Sequence, residues 1–264
     1  MRTDEEHVTL REHHVPVPGG QLFVREWIPR HVIDGAAPLV LLHDSLGSVE
    51  LWREFPVRLA RTVRRRVIAY DRLGFGRSSS RREPPSLRFI EEEAELYFPA
   101  VRRALGFTNF SLFGHSVGGG MSIVIAATMP DVCERLVSES AQSFLEAHTL
   151  DGIRAAKRQF ENPAYFAKLS RFHGDKAQWV LDAWTETWTS PAFADWSLDP
   201  YLTLVRCPTL VIHGDADEFG SVEFPRRIAR GVQGVSQLEI IEGCGHVPHR
   251  EQPDRILSLV TEFL

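Results

Sequence analysis

Short strand-like runs rich in apolar residues, unbroken in "PLVLL", recur along this chain, separated by stretches whose apolar residues fall at helical spacing. The runs are "PLVLLHD" (38–44), "VIAYD" (67–71), "NFSLFG" (109–114), "RLVSES" (135–140), "PTLVIHGD" (208–215) and "QLEIIEG" (237–243). A strand covered on both faces is apolar at every position, which is the habit of a parallel sheet. Helical segments lie between the runs: an amphipathic one from Glu50 to about Arg64, others from about Leu87 to Leu105, about Ser221 to Gly231 and Pro253 to the end, and an apolar one from Val117 to about Thr128. This alternation predicts right-handed crossovers and a mostly parallel sheet with helices on both faces. The chain opens differently, with "HHVPVP", a Gly19-Gly20 turn and the alternating "QLFVREWIP", the pattern of an antiparallel hairpin.

From 141 to 200 no buried strand is read. Trp179, Trp184, Trp188 and Trp196, four of the six tryptophans, fall here, with breaks near Asn162-Pro163, Gly174 and Ser190-Pro191 that predict three or four short helices. At 264 residues the economical division is one α/β domain, 1–140 and 201–264, with a helical insertion at 141–200. A net charge of −5 speaks against a nucleic-acid binder, and the basic groups Arg64–Arg66 and Arg81-Arg82 read as solvated turns. Cys133, Cys207 and Cys244 show neither a disulfide framework nor metal-ligand spacing. The charged opening "MRTDEEH" does not resemble a signal sequence, and no apolar run reaches membrane length. The expectation is a cytoplasmic protein, monomer or homodimer, that binds no membrane.

The segment Gly114-His115-Ser116-Val117-Gly118 sits where an apolar strand meets an apolar helix. A serine at such a turn is the arrangement of a nucleophile elbow: the strained tip exposes its hydroxyl, the small neighbours relieve crowding, and the helix start faces developing negative charge. A serine hydroxyl needs a base oriented by an acid. Downstream, the strand "PTLVIHG" ends in Asp215-Ala216-Asp217-Glu218, and "GCGHVPH" offers His246 and His249. Order and placement at strand ends suit an acid followed by a histidine.

With "LLHDSLGS", "YDRLGFGRSS", "GHSVGGG", "CPTLVIHGDADE" and "EGCGHVPHREQPDRI" in this order, the chain resembles the α/β-hydrolase superfamily over essentially its whole length. The resemblance implies an eight-stranded, mostly parallel sheet with a helical cap inserted after the sixth strand. It implies Ser116 as nucleophile, Asp217 as acid and His246 as base, with Asp215 and Glu139 as the other carboxylates weighed. His249 is expected to border the last helix. The backbone N–H groups of Ser45 and Val117 are the implied oxyanion donors. Where the family commonly has His-Gly, this chain has His43-Asp44, so a carboxylate falls near the oxyanion; it either pins the loop or shapes substrate choice. His43, Asp71 and Arg72 are expected to tie loops together, and Cys244 to be buried. Asp44, Phe144, Trp179, Trp184 and Trp188, with Phe166 weighed beside them, are the expected substrate-binding residues.

The implied activity is hydrolysis of a small carboxylic ester, lactone or thioester through an acyl-enzyme, with no metal or organic cofactor. "SLG" after His43-Asp44 resembles the loop of enol-lactonases. The other readings are carbon–carbon hydrolysis of meta-cleavage products with the same triad, haloperoxidase-like or oxygenase chemistry on the same scaffold, and a non-enzymatic ligand receptor. Haloalkane dehalogenases and epoxide hydrolases need aspartate where this chain has Ser116. Proline iminopeptidases carry a glycine-proline-rich oxyanion loop that "HDSLGS" lacks.

Overall fold

The computed structural model describes residues 7–264; the charged stretch at 1–6 lies outside the described residues. Eight strands form one sheet in the order β1-β2-β4-β3-β5-β6-β7-β8. β1 (Val8–Val17) and β2 (Gly20–Pro29) make the antiparallel hairpin, and β2 also runs antiparallel to β4 (Val67–Tyr70). The other pairings are parallel and join β3 (Leu39–Leu42), β4, β5 (Phe110–His115), β6 (Cys133–Glu139), β7 (Thr209–Gly214) and β8 (Ser236–Ile241). β1 begins at Val8, five residues before the apolar signal. As an edge strand it is largely exposed and is held by pairing with the whole of β2.

The helices are α1 (Phe55–Val63), α2 (Phe89–Glu92), α3 (Phe98–Ala104), α4 (Val117–Thr128), α5 (Ala147–Phe160), α6 (Pro163–His173), α7 (Ala177–Trp188), α8 (Asp199–Leu202), α9 (Glu223–Gly231), α10 (Pro248–Glu251) and α11 (Pro253–Phe263). Two of the expected helices differ, each because of a proline. Pro56 is tolerated only in a first turn, so the stretch from Glu50 becomes a 3-10 turn, Val49–Trp52, followed by α1. Pro99 has no N–H to offer the Glu95 carbonyl, and the helix expected over 87–105 opens into a wide π turn, Glu93–Tyr97, between α2 and α3.

Helices cover both faces of the sheet. α1 and α11 pack Phe55, Leu59, Ile256 and Val260 on Leu41 and Phe113; on the other face α3, α4 and α9 pack Phe98, Ile123, Ile125 and Ile228 on Val40 and Leu112. α4 is buried at every position from Val117 to Ala127, which is why its sequence is apolar all round. The insertion consists of α5, α6 and α7 and two 3-10 turns, Gly174–Lys176 and Pro191–Phe193, and its neck is closed by an antiparallel bridge between Phe144 and Ser197. It is tied to the sheet domain by His173, which accepts from the Gly76 N–H (2.9 Å) and donates to the Leu46 carbonyl (2.9 Å), and by Lys176, which donates to the Gly76 carbonyl (2.6 Å). No helix among the described residues is long and apolar enough to cross a membrane.

β3 is flanked by β4 on one side and β5 on the other, so the strand order reverses there. Loops leaving the carboxyl ends of β3 and β5 diverge at such a point and leave a crevice. The "HDSLGS" loop follows β3 and Ser116 follows β5.

Candidate active site

Between the end of β5 and the start of α4 there is one residue, Ser116, with φ 56° and ψ −126°. Side chains rarely adopt this conformation, and the surroundings must hold it. The Ser116 N–H donates to the Glu139 carbonyl (2.8 Å), and its own carbonyl accepts from Gly119 N–H (2.8 Å). Close approach explains the flanking glycines. A Cβ on Gly114 would lie 2.1 Å from the Gly118 carbonyl oxygen, and one on Gly118 would lie 2.2 Å from that of Leu42.

His246 stands in the turn between β8 and α10. Its Nδ1 lies 2.9 Å from Oδ1 and 2.8 Å from Oδ2 of Asp217, in the loop after β7. Phe219 N–H donates to Asp217 Oδ1 (2.8 Å), and the carboxylate is fully buried. Burial alone would raise the Asp217 pKa; the neighbouring His246 charge and hydrogen bond outweigh it and hold the carboxyl below its ordinary value. With Nδ1–H facing the carboxylate, Nε2 is the basic nitrogen, and it has no hydrogen-bond partner among the described residues. The Ser116 hydroxyl and the His246 ring line the same cavity without a hydrogen bond between them.

The other carboxylates have other partners. Asp215 accepts from Gly243 N–H (2.7 Å) and caps that turn. Glu139 takes His249, through its N–H (2.9 Å) and Nδ1 (2.5 Å), and this holds His249 in α10 against Trp52 and Phe55. His115, Glu139 and His249 bring ligand-type atoms within 4.8 Å of one another, but Glu139 is bonded to His249 Nδ1, and the His115 nitrogens face the His246 carbonyl and the Asp44 carboxylate. Cys244 is buried, and burial pushes its thiol up to about 12, so it stays protonated.

The "HDSLGS" loop is fixed by its own hydrogen bonds. His43 Nδ1–H donates to the Asp44 carbonyl (2.8 Å) while its Nε2 accepts from Arg72 N–H (3.1 Å), an arrangement of the neutral ring. Burial holds the His43 pKa well below its ordinary value, in keeping with that ring. Arg72 also donates to the Asp44 carbonyl (2.8 Å), and Asp71 accepts from Val49 N–H (2.6 Å) and Arg77 N–H (2.7 Å). The Asp44 carboxylate accepts from Leu46 N–H (2.8 Å) and lies 3.4 Å from His115 Nδ1, so it turns toward the elbow as a pin while still touching the cavity. The N–H groups of Ser45 and Val117 have no acceptor among the described residues.

The cavity over Ser116 measures about 230 Å³. Of the expected binding residues, Asp44, Trp184 and Trp188 line it, as does Ser45. Phe144 and Trp179 do not, and neither does Phe166. Phe144 packs at the neck of the insertion on Phe224 (4.8 Å), beneath the Arg227 guanidinium. Trp179 covers Gly74, donates to the Glu83 carbonyl (3.2 Å) and lines a smaller neighbouring cavity that shares Ser45, Trp184 and Trp188. Helical spacing identifies an apolar face but not what that face meets, and here the aromatic positions divide between two cavities and the neck. The sequence reading missed Gln142, Phe219 and one face of α5: Thr149, Ile153, Ala156 and Phe160. Their spacing of four, three and four residues is the signal that would have singled them out.

The chain's sequence matches the family described as alpha/beta hydrolase fold over residues 37–253. A proline iminopeptidase of Lactobacillus helveticus (strain DPC 4571) is 25% identical over 265 residues, covering 86% of this chain and 89% of that protein. A 2-hydroxymuconate semialdehyde hydrolase of Pseudomonas sp. (strain CF600) is 26% identical over 251 residues, covering 86% of each. The crystal structure of the enol-lactonase from Burkholderia xenovorans LB400 superposes with a TM-score of 0.71 at 18% identity, covering 95% of this chain and 99% of that one. Since the family match runs through both halves of the sheet and the insertion between them, the protein belongs to the alpha/beta hydrolase fold family and is a hydrolase.

Proposed function

We propose that the protein hydrolyses a small, uncharged carboxylic ester or lactone through an acyl-enzyme on Ser116. One observation carries this reading: Ser116, at a strained strand-to-helix turn, opens into the same 230 Å³ cavity as a histidine whose Nδ1 is held by the buried carboxylate of Asp217. In this mechanism His246 Nε2 takes the Ser116 proton as the hydroxyl oxygen attacks the acyl carbon. The Ser45 and Val117 N–H groups receive the oxyanion. His246 returns the proton to the leaving alcohol, then activates the water that releases the acid. Each backbone donor is worth on the order of 3 kcal/mol of barrier.

The lining supports an uncharged substrate. Leu46, Ile153, Ala156, Phe160, Trp184 and Trp188 make it largely apolar, and among the described lining residues there is no lysine or arginine. A dienoate anion such as the semialdehyde in the name of the Pseudomonas relative would find no cation there. Asp44, the one carboxylate in the lining, is already paired with His115, so an amino-terminal ammonium, as an iminopeptidase substrate carries, would find no free carboxylate. The reading includes the insertion acting as a cap, since α5 and α7 supply the wall opposite Ser116.

A screen over p-nitrophenyl esters of increasing acyl length, lactones, a yellow meta-cleavage dienoate and a prolyl arylamide tests this. Turnover of short esters or lactones that vanishes in Ser116→Ala is the expected result. Preferred turnover of the dienoate or the arylamide overturns the substrate class.

A further inference from the structure

Behind the cavity, one buried side chain touches all three loops that meet at Ser116. His115, the residue before the nucleophile, is 1% exposed. Its Nε2–H donates to the main-chain carbonyl of His246 (2.8 Å), and its Nδ1 lies 3.4 Å from Asp44 Oδ2, in the loop that carries Ser45. A carbonyl can only accept, so Nε2 must hold a proton. A neutral ring would then aim the Nδ1 lone pair at a carboxylate whose other oxygen already accepts from the Leu46 N–H. A proton on both nitrogens turns that 3.4 Å contact from a repulsion of lone pairs into an ion pair.

Resting on the serine-hydrolase reading above, we propose that His115 is a positioning residue: as an imidazolium it fastens the Ser45 loop and the His246 loop to the elbow and neutralises the Asp44 carboxylate beside the oxyanion site. An uncompensated carboxylate one residue from an oxyanion donor would oppose the negative charge that forms during acyl transfer. Asp44 thereby becomes compatible with catalysis at a position where a glycine is the family's usual choice.

The charged and titratable groups around His115 are consistent with this role. Asp44 faces it from the loop after β3 and Glu139 from the end of β6. The His246 ring lies tilted at 5.1 Å and the His249 ring edge-on at 4.9 Å, and His43 and Arg250 border the same small crevice. Burial pulls the His115 pKa down, but the Asp44 hydrogen bond and the Glu139 and Asp44 charges outweigh it and raise it to about 9. A histidine with a raised folded pKa contributes stability that is complete below its unfolded value, near 6.5, and is lost as pH rises through about 9.

Two measurements on the full chain test the proposal. In an NMR titration with ¹³C-labelled histidine, the His115 resonance, assigned by its absence in His115→Gln, is expected to remain that of an imidazolium through pH 8. In Asp44→Asn it should titrate at lower pH. The second measurement compares kcat and KM for the ester or lactone that the wild type turns over best. His115→Gln leaves Asp44 uncompensated and is expected to lower kcat about 100-fold, in the range of losing an oxyanion donor, with little change in KM. Adding Asp44→Asn should restore about tenfold of that loss, a rescue that a purely structural role would not produce. A His115 resonance that is neutral at pH 8, or a double variant no faster than His115→Gln, overturns the proposal. If His115→Gln does not fold, the shift of the buried histidine resonance between wild type and Asp44→Asn decides it. Absence of turnover in wild type beside the expected titration would refute the serine-hydrolase reading and leave the clamp intact.

Discussion

Asp217 presents both carboxylate oxygens to His246 Nδ1, at 2.9 and 2.8 Å, from a site with no solvent exposure. This pairing fixes the tautomer that leaves Nε2 basic and orients the ring toward the cavity it shares with Ser116. Asp217→Asn keeps the shape but offers an amide where the imidazole N–H needs an acceptor. It is expected to lower kcat by about 10³- to 10⁴-fold with the melting temperature little changed. Asp215→Asn, two residues away, should retain nearly full kcat, because Asp215 caps Gly243. Steady-state kinetics of the two variants check this.

The elbow tolerates no added atom at its glycines. In Gly118→Ala the new methyl would meet the Leu42 main-chain carbonyl oxygen at 2.2 Å, a contact that side-chain motion cannot relieve. Strain of this kind costs about 1–3 kcal/mol or more. A drop in melting temperature together with loss of activity is expected from thermal unfolding and kinetics.

Trp184 stands in the lining of both the cavity over Ser116 and its neighbour. Trp184→Ala is expected to widen the cavity over Ser116 toward its neighbour. The preferred acyl chain should lengthen by several carbons, which a chain-length series would reveal as a shifted maximum in kcat/KM.

Legibility in the sequence followed burial. Strands β3, β4, β5 and β7 are buried at every position and read as largely apolar runs, while β6 carries an exposed Glu134 near its start; all five are legible in the sequence to within a residue or two. The edge strand β1 shows little of that pattern, and five of its residues were missed. The gathering of Ser116, Asp217 and His246 at one cavity is legible because each follows a strand end by a short interval. The cavity wall is not: Phe144, Trp179 and Trp184 look alike in the sequence, yet Phe144 is held in the bridge to Ser197, and Trp179 and Trp184 are separated by how α7 rotates against the sheet. Asp44 was recognisable as an anomaly, yet its partner could be identified only once β3 and β5 were known to be neighbours.

Glu93 gives a stability prediction away from the reaction. Burial raises its carboxyl to about 7, offset in part by the Tyr70 hydroxyl, which donates to it at 2.6 Å, and by the Arg72 charge. An acid with a raised folded pKa binds its proton more tightly when folded. The chain therefore loses stability as pH rises from the unfolded value, 4.5, to about 7. Glu93→Gln retains an acceptor for Tyr70 and removes the buried charge. Its melting temperature should exceed that of the wild type at pH 8, by an amount corresponding to at most about 3 kcal/mol, and approach it at about pH 4.

The account depends on a hydroxyl at position 116 activated by the His246–Asp217 pair. Incubation with a fluorophosphonate probe and peptide mass spectrometry reads this without knowledge of the natural substrate. The expected result is one covalent adduct on Ser116 that disappears in His246→Ala and forms far more slowly in Asp217→Asn. A folded wild-type protein left unlabelled, or labelled equally fast in His246→Ala, would contradict it.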